Sequence, residues 1–206
     1  LQTTFMKLPI EWMQANPELL ADLPPSLVKL LNPFTEALKS RIAQTYEQHL
    51  YALDRLAALP SVAGPKFIYA HLFTTHQPFV FQPDGSMVWP IDENVDNYID
   101  QILYTNQRML EILKGLIEDS PVPPIIVVQG DHGYGRTPEK VKILNAYYLP
   151  EGGNQQIYPQ ISPVNTFRVI FNQYFGESYP LLPDISRFSP LNTPYAFQEV
   201  PNTCVP

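Results

Sequence analysis

Cysteine is nearly missing from this chain: Cys204, close to the end, is the only one in 206 residues. No disulfide framework can therefore exist, and no metal site can rest on a set of thiolates. Long apolar runs are missing too, since nothing approaches the roughly 20 consecutive apolar residues that a membrane-crossing helix requires. A cationic surface is the third absence. With 13 Lys and Arg against 20 Asp and Glu, the formal charge is −7, and no basic cluster occurs anywhere. Nucleic acid and anionic membrane surfaces are excluded as partners on that ground. The start Leu1-Gln2-Thr3-Thr4 reads as neither a signal peptide nor an initiator methionine, so the expectation is a piece of a longer protein.

What is present is enough for a core. Hydrophobic residues make up 45% and aromatic residues 12% of the chain, which suits one sizeable domain or part of a larger one. The 23 prolines lie mostly between the periodic stretches and predict long irregular connections over a rigid scaffold. In residues 1–34, Pro9, Pro17, Pro24, Pro25 and Pro33 limit helices to short pieces, around Glu11 to Met13 and Ser26 to Leu31. From Thr35 to Leu59, Leu38, Ile42, Tyr46, Leu50, Leu53 and Leu56 recur at helical spacing, and Pro60 ends the run. His49 in this stretch reads as a solvated or packing histidine. The domain division expected is a helical, proline-rich segment, 1–65, packed on a core formed by 66–206.

Lys66-Phe67-Ile68-Tyr69-Ala70-His71 predicts a short buried strand that delivers His71 at its end, with His76 five residues on. Pro83-Asp84-Gly85 marks a turn inside an aromatic stretch, as in a flap or hairpin. Asn94 to Asp119 predicts a second long helix, capped by Asp92 or Asn94, with Val95, Tyr98, Ile99, Ile102, Leu103, Leu110, Leu113, Leu116 and Ile117 as its buried stripe. Ile125 to Gln129 reads as a strand. Strand, helix, strand over 66–130 is the unit of a sheet with parallel neighbours, so the fold class expected is α/β. Val141 to Leu149 is a further strand candidate, and Ser162-Pro163 opens a helix to Phe175 with Gly176 beyond it. The tail after Tyr179 reads as loops and an edge strand.

Gln129-Gly130-Asp131-His132-Gly133 then places a carboxylate and an imidazole where a buried strand leaves the sheet. Ligand crevices of α/β folds lie at such strand ends. An Asp oxygen and a His nitrogen suit a divalent ion together, and the flanking glycines let the backbone turn. A polar turn closing a strand explains Asp-His-Gly alone equally well. The clustering carries more weight: if the strands at 66–71 and 125–130 share a sheet, His71, His76, Asp131 and His132 converge on one edge.

These residues carry a family resemblance. Phe67 to Phe79 with its His76-Gln77-Pro78-Phe79, then Tyr98 to Leu116, then Ile125 to Gly133 resembles the C-terminal half of the sulfatase-like catalytic domain of the alkaline phosphatase superfamily. Lipoteichoic acid synthase and membrane-anchored phosphoglycerol transferases are the branch it looks most like. The resemblance extends from about Lys66 to Phe197, and its specific parts are His-x-Pro-Phe and Gly-Asp-His-Gly. It implies a three-layer α/β/α domain with a mixed, mostly parallel central sheet, of which this chain is a part. It implies a metal-dependent phosphoryl or sulfuryl ester hydrolase or transferase. Asp131 and His132 become ligands of a divalent ion (Mn, Mg, Ca or Zn), and His76 contacts the oxygens of the transferred group. Such a transition state spreads negative charge over those oxygens, which a cation and an imidazolium stabilise. His71 would orient His76, line the substrate pocket, or simply pack; Arg136 would hold an anionic head group or be solvated. The membrane-anchored members act outside the cell, so the resemblance implies an extracytoplasmic, soluble domain of a membrane-associated parent.

The departures count as well. The family takes a nucleophilic Thr, Ser or modified Cys, and another acidic ligand, from its N-terminal half. Thr3, Thr4, Ser26 and Thr35 are present here, but none follows an apolar strand with an acidic companion. Cys204 has no surrounding motif and reads as inert. The expectation is a catalytically incomplete chain. No histidine follows His132, whereas the two-zinc branches of the family bring a late histidine to their second metal, so the resemblance favours a one-metal arrangement. Two other readings compete: a non-catalytic module holding an anion or glycan on the same fold, and a self-contained mononuclear zinc hydrolase built from His71, His76, Asp131 and His132.

Overall fold

The computed structural model describes residues 24–133, 135 and 137–202. The expected helical piece at Glu11 to Met13, together with Tyr134, Arg136 and Cys204, lies outside the described residues. Two compact units divide the chain, Leu1–Pro121 and Val122–Pro206.

In the first unit, Pro25–Ala57 is one continuous helix, α1, with Pro25 in its first turn and Pro33 inside it. Proline fits a first turn because the N–H it lacks has no acceptor there. The sequence predicts a break at Pro33, whereas the helix runs through it. Ala58 N–H donates to Asp54 O at the far end, and the short turn Leu59–Ser61 follows, closing the helix just ahead of Pro60 as expected. The second helix, α2, spans Val95–Glu118, and the Asn94 side chain caps it by accepting from Asn97 N–H at 2.9 Å. Of the two predicted caps, Asn94 serves, while Asp92 Oδ2 accepts from its amide.

Between the helices, residues 79–90 form a small hairpin, with Phe81 opposite Met87 and Gly85 at its tip. Gly85 has φ +84°, and a Cβ there would strike the Tyr104 ring, so only glycine fits this turn. Tyr46 Oη donates to Gly85 O at 2.8 Å. Ile42, Val80 and Phe81 form the core, with Leu38, Tyr46, Leu50 and Tyr104 around them. Burial of α2 differs from the predicted stripe. Gln101, Thr105 and Ile112 point inward, while Val95, Ile99, Leu103 and Leu110 are exposed. The helix is apolar on more than one side, so hydropathy could not fix its phase; the polar backbone of the loop it packs on could.

The second unit starts from β1, Ile126–Gln129, and β2, Asn145–Tyr148, paired antiparallel with Val127 opposite Tyr147. The helix α3, Pro163–Tyr174, packs Val169 and Ile170 with Leu149 and Ile161. Ser162 does not cap it with its side chain; its hydroxyl goes to Asp184 instead. Gly176 follows with φ +71°, as the sequence predicts for the end of this helix. The tail contributes β3, Ser186–Phe188, and β4, Gln198–Val200, a second antiparallel pair.

Among the described residues, strands occur only as these two antiparallel pairs, so a mostly parallel sheet is not displayed. Residues 66–71 have no ladder partner there. Ile68, Ala70, His71 and Leu72 line a cavity with Leu56 and Leu59, but residues 66–71 are all exposed, Phe67 at 83% and Tyr69 at 81%. The short buried strand expected at Lys66 to His71 is thus not displayed: the segment is neither paired nor buried.

Candidate functional site

Gly130 N–H donates to Leu144 O at 2.9 Å, the last backbone bond between the β1 and β2 sides. Asp131 and His132 stand immediately past it, both exposed. Their geometry is organised by the backbone. Asp131 Oδ1 accepts from His132 N–H at 2.9 Å, which turns Oδ2 outward. His132 Nδ1 lies 2.9 Å from Gly133 O. A carbonyl only accepts, so Nδ1 carries the proton and Nε2 is the free nitrogen of the neutral ring. Nε2 and Oδ2 are 3.6 Å apart.

That separation is too long for a hydrogen bond. Two ligands held about 2.1 Å from a tetrahedral ion stand roughly 3.4 Å apart, close to the distance observed. In the neutral ring two electron-rich atoms face one region, an arrangement that a cation relieves, whereas a protonated ring makes the same pair an ion contact. The residues present thus fit a divalent ion as two of its ligands. Among the described residues no group of three or more His, Cys, Asp and Glu side chains gathers around one point.

The sequence assigns the freedom to turn to both flanking glycines, but only Gly133 is held by packing. A Cβ at Gly133 would lie 2.8 Å from Lys142 O, whereas at Gly130 the nearest atoms would be at an ordinary 3.7 Å. Close approach of the chain to residues 140–142, reinforced by Gly133 N–H donating to Lys140 O at 2.7 Å, is what demands glycine. Gln129 is also engaged: its amide donates to Asn145 Oδ1 at 2.7 Å and to Thr166 Oγ1 at 2.7 Å, tying the strand end to β2 and α3.

His71 and His76 belong to the first unit. His76 is exposed, and its Nδ1 lies 2.8 Å from Gln77 O, so its outward nitrogen is Nε2. The Phe73 ring lies beside both imidazoles, with centroids 4.4 Å from His71 and 6.2 Å from His76. His71 also lines the cavity of about 240 Å³ beside Leu72 and Arg55. No hydrogen bond joins the two histidines among the described residues. His49 packs on Phe81, ring centroids 6.0 Å apart, and burial lowers its pKa. Packing, one of its two predicted roles, is what it does.

Residues that the sequence reading passed over hold these positions. Gln101 is fully buried. Its Oε1 accepts from Val80 N–H at 2.6 Å and Phe81 N–H at 3.3 Å, and its Nε2 donates to His76 O at 3.1 Å. Thr105, one turn on, donates to Thr74 O at 3.3 Å. A glutamine and a threonine four residues apart on a buried helix face were the available signal. In the second unit, Asp184 accepts from Tyr158 Oη at 2.6 Å, from Ser162 Oγ at 2.6 Å and from Ser162 N–H at 2.7 Å. Burial and that bond to Asp184 push the Tyr158 hydroxyl up to about 12.

Compared with family models, with curated proteins and with solved structures, the chain matches none of them. The functional reading therefore rests on the residues themselves.

Proposed function

We propose that this chain is part of a metal-dependent phosphoryl or sulfuryl ester hydrolase or transferase of the sulfatase-like type. The observation that carries the reading is the pairing of Asp131 Oδ2 with His132 Nε2 at 3.6 Å, both outward and both oriented by the backbone at a strand end. Asp131 and His132 would help hold a divalent ion. When bound, that ion supplies positive charge to the ester oxygens and lowers the pKa of a bound hydroxyl or water. His76, with Nδ1 spent on Gln77 O, presents Nε2 as the atom that donates to a non-bridging oxygen when the ring is protonated. His71 beside the apolar cavity and Arg136 are proposed substrate contacts. The parent is proposed to be membrane-associated with this part outside the cell; no helix among the described residues is long and apolar enough to cross a membrane.

Calorimetric titration of the chain with Mn²⁺, Mg²⁺, Ca²⁺ and Zn²⁺, repeated on Asp131→Asn and His132→Ala, tests the metal pair. One ion per chain is expected, with binding lost in either variant. Binding unchanged in both would sink the assignment.

A second reading is a non-catalytic module that holds an anionic ester or glycan on the same residues. It is favoured by the absence of a Thr or Ser that follows an apolar strand with an acidic companion, and by the structural engagement of Thr105 and Thr166. Metal-dependent binding of phosphate without turnover of chromogenic phosphate or sulfate esters would favour this module. Turnover abolished by Asp131→Asn would favour the enzyme.

A further inference from the structure

We infer that Gln101 is the positioning residue of the His76 loop: its buried side-chain amide holds the backbone on both sides of the Gln77 carbonyl, and that carbonyl orients the His76 ring. The inference rests on the reading of His76 as the anion contact, and it adds a residue on α2 that no sequence motif marks.

A fully buried glutamine in mid-helix is costly unless its amide is bonded, because burying an unpaired amide opposes folding. Here the partners are all main-chain atoms of one loop. Oε1 takes the N–H groups of Val80 and Phe81, and Nε2 gives to His76 O. The backbone donors fix which end of the amide is oxygen, since the reverse orientation would set N–H against N–H. The loop is thus pinned at His76 O and again at Val80 N–H, and Gln77 lies between the pins. Gln77 O accepts from His76 Nδ1 at 2.8 Å, which holds the proton on Nδ1 and leaves Nε2 outward. Val80 O, on the other side of the same residue, accepts from Val88 N–H at 2.9 Å, so the hairpin cannot drift to compensate. His76 itself is exposed, and the edge of Phe73 lies beside its ring.

The consequence is specific. Replacing Gln101 with Met keeps its volume and removes all three bonds. Replacing it with Glu keeps an acceptor for Val80 and Phe81 but, once ionised, removes the donor to His76 O. Ile112→Val alters the buried face of the same helix without touching either pin.

The test is nitrogen-detected NMR of the histidine side chains in the full chain, which has only four histidines, combined with titration by inorganic phosphate in the same samples. Wild type is expected to show His76 in the Nδ1–H form. Gln101→Met and Gln101→Glu are expected to give a mixture of tautomers at neutral His76 and, in samples acid enough to protonate the ring so that Nε2 donates, to weaken phosphate binding about tenfold because the ring is no longer oriented toward the anion. The double variant Gln101→Met with His76→Ala should be no weaker than His76→Ala alone, because the two residues act through one contact. Ile112→Val should lower the melting temperature and leave the His76 tautomer unchanged. If Gln101→Met does not fold, Gln101→Glu carries the test. Unchanged His76 tautomer and phosphate affinity in a folded Gln101 variant overturns the inference, as does an equal tautomer change in Ile112→Val. Should His76→Ala leave phosphate affinity unaltered, the anion-contact reading fails, while the tautomer in the Gln101 variants still decides whether Gln101 positions the ring.

Discussion

Gly133 shows how a single residue's lack of a side chain shapes the candidate metal pair. Its amide donates to Lys140 O, and the space a Cβ would need is taken by Lys142 O. Both obstacles are backbone, so no rotamer change can relieve them. Gly133→Ala is expected to destabilise the second unit by ~1–3 kcal/mol, as overpacking does, and to move the carbonyl that holds His132 Nδ1. Denaturant unfolding and metal titration of the variant would check this together. Stability and affinity should fall in the same variant, whereas Gly130→Ala, with ordinary contacts only, should leave metal affinity near that of wild type.

At the scale of elements, α2 is held by its cap and by what lies beneath it. Asn94→Ala is expected to cost about 1 kcal/mol in thermal or denaturant unfolding, the usual worth of an N-cap. Phe81→Ala should cost ~3–5 kcal/mol, because the ring is fully buried and stacks on Tyr104 at 4.4 Å. The helices were legible in the sequence because amphipathic spacing over many residues is a local signal; α2 begins and ends within one residue of its predicted limits. The turn at Pro83-Asp84-Gly85 and the glycine after α3 were legible for the same reason. Strand pairing was not. β1 was expected beside residues 66–71 in parallel, and its displayed partner is β2, antiparallel, across the loop that carries Asp131 and His132. An apolar run announces a strand but says nothing of its neighbour, since pairing is decided by contacts remote in sequence. Gln101 escaped notice because a hydropathy pattern counts a glutamine as outward, and its inward bonds are to main chain that no side-chain pattern encodes.

For the whole molecule, acid acts on the two units through different groups. In the first, burial of His49 against Phe81 lowers its pKa. The folded state then binds that proton less readily than the unfolded chain, so its contribution is complete above the ordinary imidazole value of about 6.5 and declines as pH falls below it. In the second, burial raises Asp184, but the hydrogen bonds from Ser162, Tyr158 and Asn165 outweigh it and the net shift is downward. That contribution is complete above the usual carboxylate range and is lost as pH falls through the depressed value. Acid titration followed by unit-specific NMR signals should show the first unit weakening at mildly acidic pH and the second only in stronger acid. His49→Phe should flatten the first decline, and Asp184→Asn the second.

The final backbone rung at Gly130 also draws a boundary in time. An amide that donates into a ladder exchanges with solvent only when the ladder opens, while one beyond it exchanges freely unless something else holds it. Gly130 N–H is given to Leu144 O, and His132 N–H is given to the Asp131 carboxylate, a bond within two adjacent residues that can open without any strand moving. Deuterium should therefore enter slowly at Gly130 and quickly at His132, with Gly133 slowed again by its bond to Lys140 O. An arriving cation that draws on that carboxylate would be detected first as a change in the exchange rate of the His132 amide, before any strand of the fold records its presence.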